Sequence, residues 1–321
     1  MTAVAPIRSH LYVLKRDGRA ERVQFDKITS RIKKLSYGLD PLVDVVEVAQ
    51  KVCAGVYAGV TTSELDELAA QKSAALSFKH PDYGLLAGRI CVSNLHKSTS
   101  KDFLDVCTRL LNHHKNGRAA PLIQQVVYDF IKDNIKAIQS AILYDRDFVL
   151  DYFSIKTLIE QKYLSMIDKV GVERPAQMWM RIACAMWVGN LERALETYEF
   201  LSQQKFTHAT PTLYNAGRVY SQMSSCYLVF AKSDSIDGIF DTVKDLALIS
   251  KGAGGLGLSV SHIRATGSYI HGTDGQRISF PTLSALFFCG FGTVLTGVCF
   301  CRIFTGPLAI GSCNQQRGAL C

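Results

Sequence analysis

Between residues 11 and 97 the apolar positions switch from strand spacing to helix spacing. Tyr12-Val13-Leu14 and Arg22-Val23-Gln24-Phe25 flank Asp17-Gly18. That dipeptide suits the positive φ angles of a type I′ turn, so the stretch reads as a β-hairpin. Asp26 stands where an N-cap is needed, and Ile28, Ile32 and Leu35 follow at helical intervals. A second helix is predicted over 43–57. Thr61-Thr62-Ser63-Glu64 is a capping-box pattern, with Leu65, Leu68, Ala69 and Leu76 on one face of the helix behind it. Pro81 suits the first turn of another helix, which runs to about Lys97 through Leu85, Leu86, Ile90 and Leu95. Residues 11–97 therefore form one unit, a small hairpin on about four helices.

The polar stretch from Lys97 to Asp102 reads as a linker. Residues 103–205 carry helical periods with few strand signals, and turns are expected at Asn116-Gly117 and Lys169-Val170-Gly171. From Phe206 the texture changes. Ser224 to Phe230 reads as a buried strand, Ser235 to Ser250 as a helix, and Leu256 to Ile263 as a strand.

A chain of 321 residues is long enough for two or three domains. The net charge of +8 suits phosphorylated small molecules, nucleic acid or an anionic surface. No block of like charges marks a nucleic-acid arm. Met1 to His10 has a charge at Arg8 but no apolar run after it, so no secretory signal is read there. A cytoplasmic location and reduced cysteines are expected. After Gln276 the composition breaks. Residues 277–321 have no Asp or Glu, only three arginines as charges, and half of the ten cysteines. This apolar, Cys-rich tail reads as foreign to the rest, as translated intron or a shifted frame would be. The uncharged run Ile278–Cys301 leaves a membrane anchor as the alternative. Cys299-x-Cys301 lacks the second pair that a structural metal site would need, so no metal is expected.

Two motifs carry chemistry. The hairpin region places Lys15, Arg16, Arg19, Arg22 and Lys27 close together, with Glu21 and Asp26 among them. By itself this suits a solvated charged hairpin. Gly252-Ala253-Gly254-Gly255-Leu256-Gly257 fits G-x-G-x-x-G. A dinucleotide fingerprint needs a strand before and a helix after it, and here the order is reversed, so that reading is rejected.

Four stretches of the first region resemble an ATP-cone, the regulatory nucleotide-binding domain of ribonucleotide reductases. They are Val13-Leu14-Lys15-Arg16-Asp17-Gly18-Arg19 with Phe25-Asp26-Lys27-Ile28, Val60-Thr61-Thr62, and Leu95-His96-Lys97. The resemblance implies that Lys15, Arg16, Lys27 and Lys97 hold a triphosphate, and that Glu21, Thr62 and Asp66 contact the ribose or base. It also implies ATP as activator and dATP as inhibitor. Farther along, Thr207-His208-Ala209-Thr210-Pro211-Thr212-Leu213, Ser224-Ser225-Cys226, Leu248-Ile249-Ser250-Lys251 and Ile263 to Ile270 resemble the class I ribonucleotide reductase large subunit. Tyr144-Asp145-Arg146-Asp147-Phe148 and Glu173-Arg174-Pro175 resemble the helical region before its barrel.

The resemblance spans about residues 11–276. It implies an α+β, mainly α fold: an ATP-cone at 11–97, a helical domain at 103–205, and at 206–276 the first part of an incomplete ten-stranded α/β barrel. It places Thr210, Ser225 and Gly255 against a ribonucleoside diphosphate. Thr210 stands where the family often has Ser, which keeps the hydroxyl. Cys226 becomes one of two cysteines that reduce the ribose. Asp234, Ser235, Ile236, Lys251, Arg264 and His271 fall at a dNTP specificity site at a subunit interface, which implies a homodimer or larger oligomer. Partners implied are a small radical-generating subunit and thioredoxin or glutaredoxin as reductant; neither nucleic acid nor a membrane is expected. The family's radical cysteine, its Asn and Glu neighbours, and the partner of Cys226 fall beyond the matching stretch. The expectation is therefore a truncated reductase large subunit that is inactive alone. A short nucleotide-binding regulator is the alternative. A DNA-binding repressor would need a zinc ribbon, and no Cys-x-x-Cys precedes residue 11. A membrane-anchored nucleotide sensor is the remaining reading.

Overall fold

A computed structural model describes residues 11–252, 254–265 and 268–269, and the backbone of 301–304. The chain falls into two compact units, Met1–Thr207 with Ala216–Tyr220, and His208–Asn215 with Ser221–Cys321.

The first unit opens with the expected hairpin, β1 (Tyr12–Leu14) against β2 (Ala20–Arg22), with Val13 opposite Glu21. Its turn differs from expectation. Lys15 N–H donates to Arg19 O, Gly18 N–H donates to Lys15 O, and only Gly18 has a positive φ, of 82°. This is a three-residue loop with glycine at the left-handed position, which a type I′ turn would not close. Helix α1 (Phe25–Leu35) buries Ile32 and Leu35, but its N-cap is Gln24, and Asp26 lies inside the first turn. There Asp26 meets the positive end of the helix dipole without capping it. Asp44 caps α2 (Val45–Cys53), which is shorter than the predicted helix.

The segment Val60–Thr61, read from sequence only as a helix start, is also a strand, β3. It runs parallel to β1 and makes the sheet order β2-β1-β3. Val13 and Val60 pair on its buried side. Thr61 and Glu64 form the expected reciprocal capping box at the start of α3 (Thr62–Ala74). Helix α4 (Asp82–Ser98) is buried along much of its length. At Gly88 a β-carbon would overlap the backbone of Leu150 and Asp151, so this close approach needs glycine.

Beyond Asp102, the N-cap of α5 (Phe103–Leu111), come two small hairpins. In β4 (His114–Lys115) and β5 (Arg118–Ala119) both turn residues, Asn116 and Gly117, have positive φ. This is the two-residue turn that was expected earlier at Asp17-Gly18. Helices α6 (Gln125–Asp133) and α7 (Ile135–Ala141), a 3-10 turn at Tyr144–Val149 and α8 (Tyr152–Glu160) lead to the second hairpin. That hairpin pairs β6 (Met166–Ile167) with β7 (Val170–Gly171) around Asp168 and Lys169, both at positive φ. The centre of the unit is α9 (Pro175–Met186), buried from Pro175 through Cys184 and followed by α10 (Leu191–Ser202). Its fully buried Arg181 forms a two-pronged ion pair with fully buried Glu173, at 2.8 and 3.2 Å. Arg181 also donates to Ala216 O at 2.6 Å, and Glu173 accepts from Ser165 N–H at 2.9 Å.

The second unit contains α11 (Thr210–Asn215), β8 (Cys226–Phe230), α12 (Ile236–Lys251), β9 (Gly255–Ser259) and β10 (Cys301–Phe304). β8 and β9 run parallel in the register Cys226↔Gly255 to Phe230↔Ser259, and β10 continues the sheet beside β9. β9 ends earlier than predicted, at a turn beginning at Ser261. Leu246 of α12 packs with Leu256, Leu258 and Val260, joined by Tyr227 and Val229. The other face of β8 corrects the expectation of a buried strand: Cys226, Leu228 and Phe230 are exposed among the described residues, Leu228 by 83%. One helix covers one face of the sheet; on the other, the His262 ring stacks on Phe230 with centroids 5.8 Å apart, and Leu228 stays open among the described residues. Among the described residues the sheet does not close into a barrel. No helix of the described residues is long and apolar enough to cross a membrane, and the uncharged run Ile278–Cys301 lies outside them as far as Phe300.

Candidate functional site

All seven residues expected to hold a triphosphate nucleotide line one cavity of about 420 Å³: Lys15, Arg16, Glu21, Lys27, Thr62, Asp66 and Lys97. The hairpin loop supplies Lys15 and Arg16, α1 supplies Lys27, α3 supplies Thr62 and Asp66, and Lys97 comes from the last turn of α4. The remaining wall includes apolar Val13, Val23, Ile28, Ile32, Leu65 and Ala69. A cavity of this size with an apolar wall and convergent charges has the character of a small-ligand site.

The charges form two groups. At the rim, Glu21 accepts from Lys15 at 3.1 Å and Lys27 at 3.3 Å, and the two ammonium groups hold its carboxyl below the usual range. At the floor, Asp66 is only 6% exposed. Arg31 grips both its oxygens, Nε to Oδ1 at 2.5 Å and Nη2 to Oδ2 at 2.9 Å, and also reaches Ser93 Oγ at 3.2 Å. Arg16 and Lys97 each approach the same Oδ2 at 3.4 Å. Arg16 also donates to Asn94 Oδ1, which Ser63 Oγ meets at 3.2 Å. Burial pushes the Lys97 ammonium down, and Asp66 opposes that.

Six cations line the cavity, adding Arg22 and Arg31 to Lys15, Arg16, Lys27 and Lys97, against Asp17, Glu21 and Asp66. Excess positive charge beside an apolar wall matches the two ends of a nucleoside triphosphate. Sequence reasoning missed Arg31. It lies one helical turn beyond Lys27 on α1, so the i,i+4 spacing was the signal that would have found it.

In the second unit, Ser225, Cys226 and Gly255 come together. Gly255 N–H donates to Ser225 O at 2.6 Å, and a β-carbon on Gly255 would lie 3.5 Å from Cys226 Sγ. Thr210 opens α11, which is tied to the approach to β8 by Thr212 Oγ1 donating to Met223 O at 3.0 Å and Asn215 Nδ2 to Gln222 O at 2.6 Å. Asp234 accepts from Arg264, through the backbone N–H at 3.1 Å and through Nε. Ser235 caps α12 by accepting from Gly238 N–H, and Ile236 is exposed. Lys251 ends the same helix, roughly 22 Å from Ile236 at 1.5 Å per residue, so Asp234 and Lys251 are not brought together within this chain. His271 lies outside the described residues. Among the described residues no cluster of His, Cys, Asp and Glu could hold a metal. The glycine-rich run lies between α12 and β9, in the helix-then-strand order that excludes the dinucleotide fingerprint.

Three family profiles match in succession: the ATP cone domain over 11–98, the all-alpha domain of ribonucleotide reductase over 148–221, and its barrel domain over 224–283. The chain belongs to the ribonucleotide reductase large-subunit family. It is 54% identical over 268 residues to the ribonucleoside-diphosphate reductase large subunit of Arabidopsis thaliana, covering 83% of this chain and 33% of that one. It is 55% identical over 267 residues to the large chain of Cryptosporidium parvum, with the same coverage of each. Against large chain 2 of Saccharomyces cerevisiae it is 52% identical, over 83% of this chain and 31% of that one. The chain thus spans about a third of the length of the relatives it matches. The barrel match continues past Gln276 to residue 283, so the unmatched tail begins later than the composition suggested. The seven cavity residues all fall within the cone match, and the cone implies binding of a nucleotide effector.

Proposed function

We propose that this chain is the effector-sensing portion of a ribonucleoside-diphosphate reductase large subunit, and that its cone takes ATP or dATP. The observation that carries this reading is the single cavity in which all seven expected residues converge. Lys15, Arg16, Lys27 and Lys97 take the triphosphate, while Glu21, Thr62 and Asp66 face the ribose and base. ATP and dATP differ by one hydroxyl, so opposite outputs require that each favours a different state of the protein. In the second unit, Asp234, Ser235, Ile236, Lys251, Arg264 and His271 serve a dNTP, in a homodimer or larger oligomer. Thr210, Ser225 and Gly255 meet the ribonucleoside diphosphate, with Cys226 as one reducing thiol. The small subunit supplies the radical, and thioredoxin or glutaredoxin the electrons.

Equilibrium dialysis of the 321-residue chain with ATP tests this. Saturable binding is expected. Replacing both Lys15 and Arg16 by alanine should weaken it by about tenfold to a hundredfold per lost charge-assisted bond. Unsaturable binding, or affinity indifferent to the pair, would sink the reading. Thiyl-dependent reduction needs a hydrogen-abstracting thiyl, a dithiol and an acid–base group acting together, and Cys226 alone is assigned here. No deoxyribonucleotide is therefore expected from the 321-residue chain mixed with the radical-generating subunit.

A further inference from the structure

We propose that a second small-molecule site lies where the end of α1, α4 and the 3-10 turn at Tyr144–Val149 meet, and that it takes a monocarboxylate with an aromatic or branched apolar body. The site is a cleft of about 570 Å³ lined by Leu35, Tyr37, Arg89, Asp145, Phe148 and Val149. It shares no residue with the cone cavity, so it stands apart from the nucleotide-binding reading.

What points to a ligand is a buried cation with no carboxylate against it. Arg89, on α4, is 8% exposed. Both of its hydrogen bonds leave from Nη1, to Leu35 O at 3.1 Å and Tyr37 O at 2.5 Å. Leu35 is the last residue of α1, so these bonds close the helix end and offset part of the charge. The guanidinium carbon also sits over the Tyr37 ring, 4.0 Å from its centroid. Neither neighbour supplies an anion. Nε is buried and has no hydrogen-bond partner among the described residues. With Nη1 taken, the remaining edge is Nε and Nη2, whose parallel N–H groups form the fork that holds a carboxylate through two bonds. Buried charge is normally paired, and a buried donor without an acceptor carries a penalty that an arriving carboxylate removes.

The wall selects the rest of the ligand. Leu35 is buried, Phe148 is half-buried, and Tyr37 and Val149 are exposed. A solvent ion at Arg89 would leave these side chains wet, whereas an apolar body covers them and gains from both ends. Asp145, exposed on the same cleft, limits the charge. One guanidinium beside one carboxylate suits a single negative charge. A phosphate group, at about −1.5 to −2, would bring more than Arg89 matches and would also meet Asp145.

The test is equilibrium dialysis of the 321-residue chain with 2-naphthoate, and with 2-naphthamide as its uncharged twin. Saturable binding of the carboxylate is expected, with the amide weaker by about tenfold, as the loss of one charge-assisted pair implies. Saturating ATP should leave it in place. Arg89→Lys keeps the charge but not the fork, and should lower the carboxylate to the affinity of the amide. Arg89 also closes the end of α1, so Val149→Glu serves as a second variant: it leaves that contact alone and sets a like charge on the exposed rim. It should weaken the carboxylate by about tenfold and the amide far less. Circular dichroism checks the fold of both, and if Arg89→Lys fails to fold, Val149→Glu decides. No saturable carboxylate binding up to about 1 mM overturns the proposal. So do equal affinities for the two naphthalenes, or carboxylate binding that a folded Arg89→Lys or Val149→Glu leaves unchanged. Displacement of the carboxylate by ATP would place it in the cone cavity, and overturns the proposal as well.

Discussion

The two units handle their sites in opposite ways. The cone encloses its cavity with a hairpin, α1, α3 and α4, all within ninety residues or so of one another, and a buried acid already neutralised by three cations. The second unit brings together Ser225, Cys226 and Gly255 at the start of two parallel strands, yet leaves Cys226 and Leu228 of β8 open among its described residues. A pocket built from local elements is complete as soon as those elements fold. A pocket at the ends of parallel strands needs neighbouring strands and loops from distant sequence, as parallel architectures generally do.

Thiol chemistry gives the largest contrast between the units. Cys184, on α9, is fully buried, and burial pushes its thiol up to about 12. At pH 8 its reactive thiolate is about one molecule in ten thousand, and reagent must still enter the core. Cys226 is exposed. Iodoacetamide labelling followed by peptide mass spectrometry should therefore modify Cys226 at least a thousandfold faster than Cys184. Equal protection of both would show that the β8 face is covered, and the contrast between the units would fail.

The next largest effect tests how tightly the first unit is locked. Glu173→Gln leaves the Arg181 charge buried without its partner, at a cost of about 3–5 kcal/mol. Denaturant titration should show the loss. Burial alone would raise the Glu173 carboxyl, but the charge and hydrogen bonds of Arg181 outweigh it and hold it below the ordinary value near 4.5. A depressed folded-state value means that the stabilisation is present above the unfolded value and is lost as pH falls through the folded one. The unsubstituted chain should weaken below about pH 4.5, and Glu173→Gln should flatten that dependence. A variant losing under 1 kcal/mol would show that the pair contributes little beyond a matched polar contact.

How much of this was legible in the sequence follows the same division. The capping box at Thr61 and Glu64 is a short-range signal and appears where it was read, whereas Lys15, Arg16, Lys27 and Lys97 were named through the family resemblance and line one cavity. The turn at Asp17-Gly18 was placed correctly but typed wrongly, because the dipeptide is shared by two- and three-residue loops and strand register decides between them. β3 was invisible: it exists through parallel pairing with β1, 47 positions away at Val13↔Val60, and two residues carry no period. The unbroken apolar run in β8 reads as buried on both faces, whereas the described structure leaves Leu228 open on one. Arg31 was overlooked because its partner Asp66 is 35 residues distant.

The smallest effect is also the one that separates the two sites most directly. Thr61 and Ser235 are both helix N-caps. Thr61 Oγ1 accepts from Glu64 N–H at 3.1 Å, and Ser235 Oγ accepts from Gly238 N–H, also at 3.1 Å. Alanine at either position removes a partner for an otherwise unpaired backbone donor and costs about 1 kcal/mol. The consequences for nucleotide should differ, because the first turns of the two helices carry different cargo. Thr62 and Asp66 stand in or beside the first turn of α3 and line the cone cavity, whereas α12 begins beside Asp234 in the other unit. Fraying α3 moves the groups that face the ligand; fraying α12 leaves them where they are. Thr61→Ala should therefore weaken ATP binding by roughly threefold, on the order of 0.6 kcal/mol, while Ser235→Ala leaves it unchanged in the same titration. If Ser235→Ala weakens ATP as much as Thr61→Ala does, the cone is not self-contained, and occupancy of its cavity is tied energetically to the start of α12.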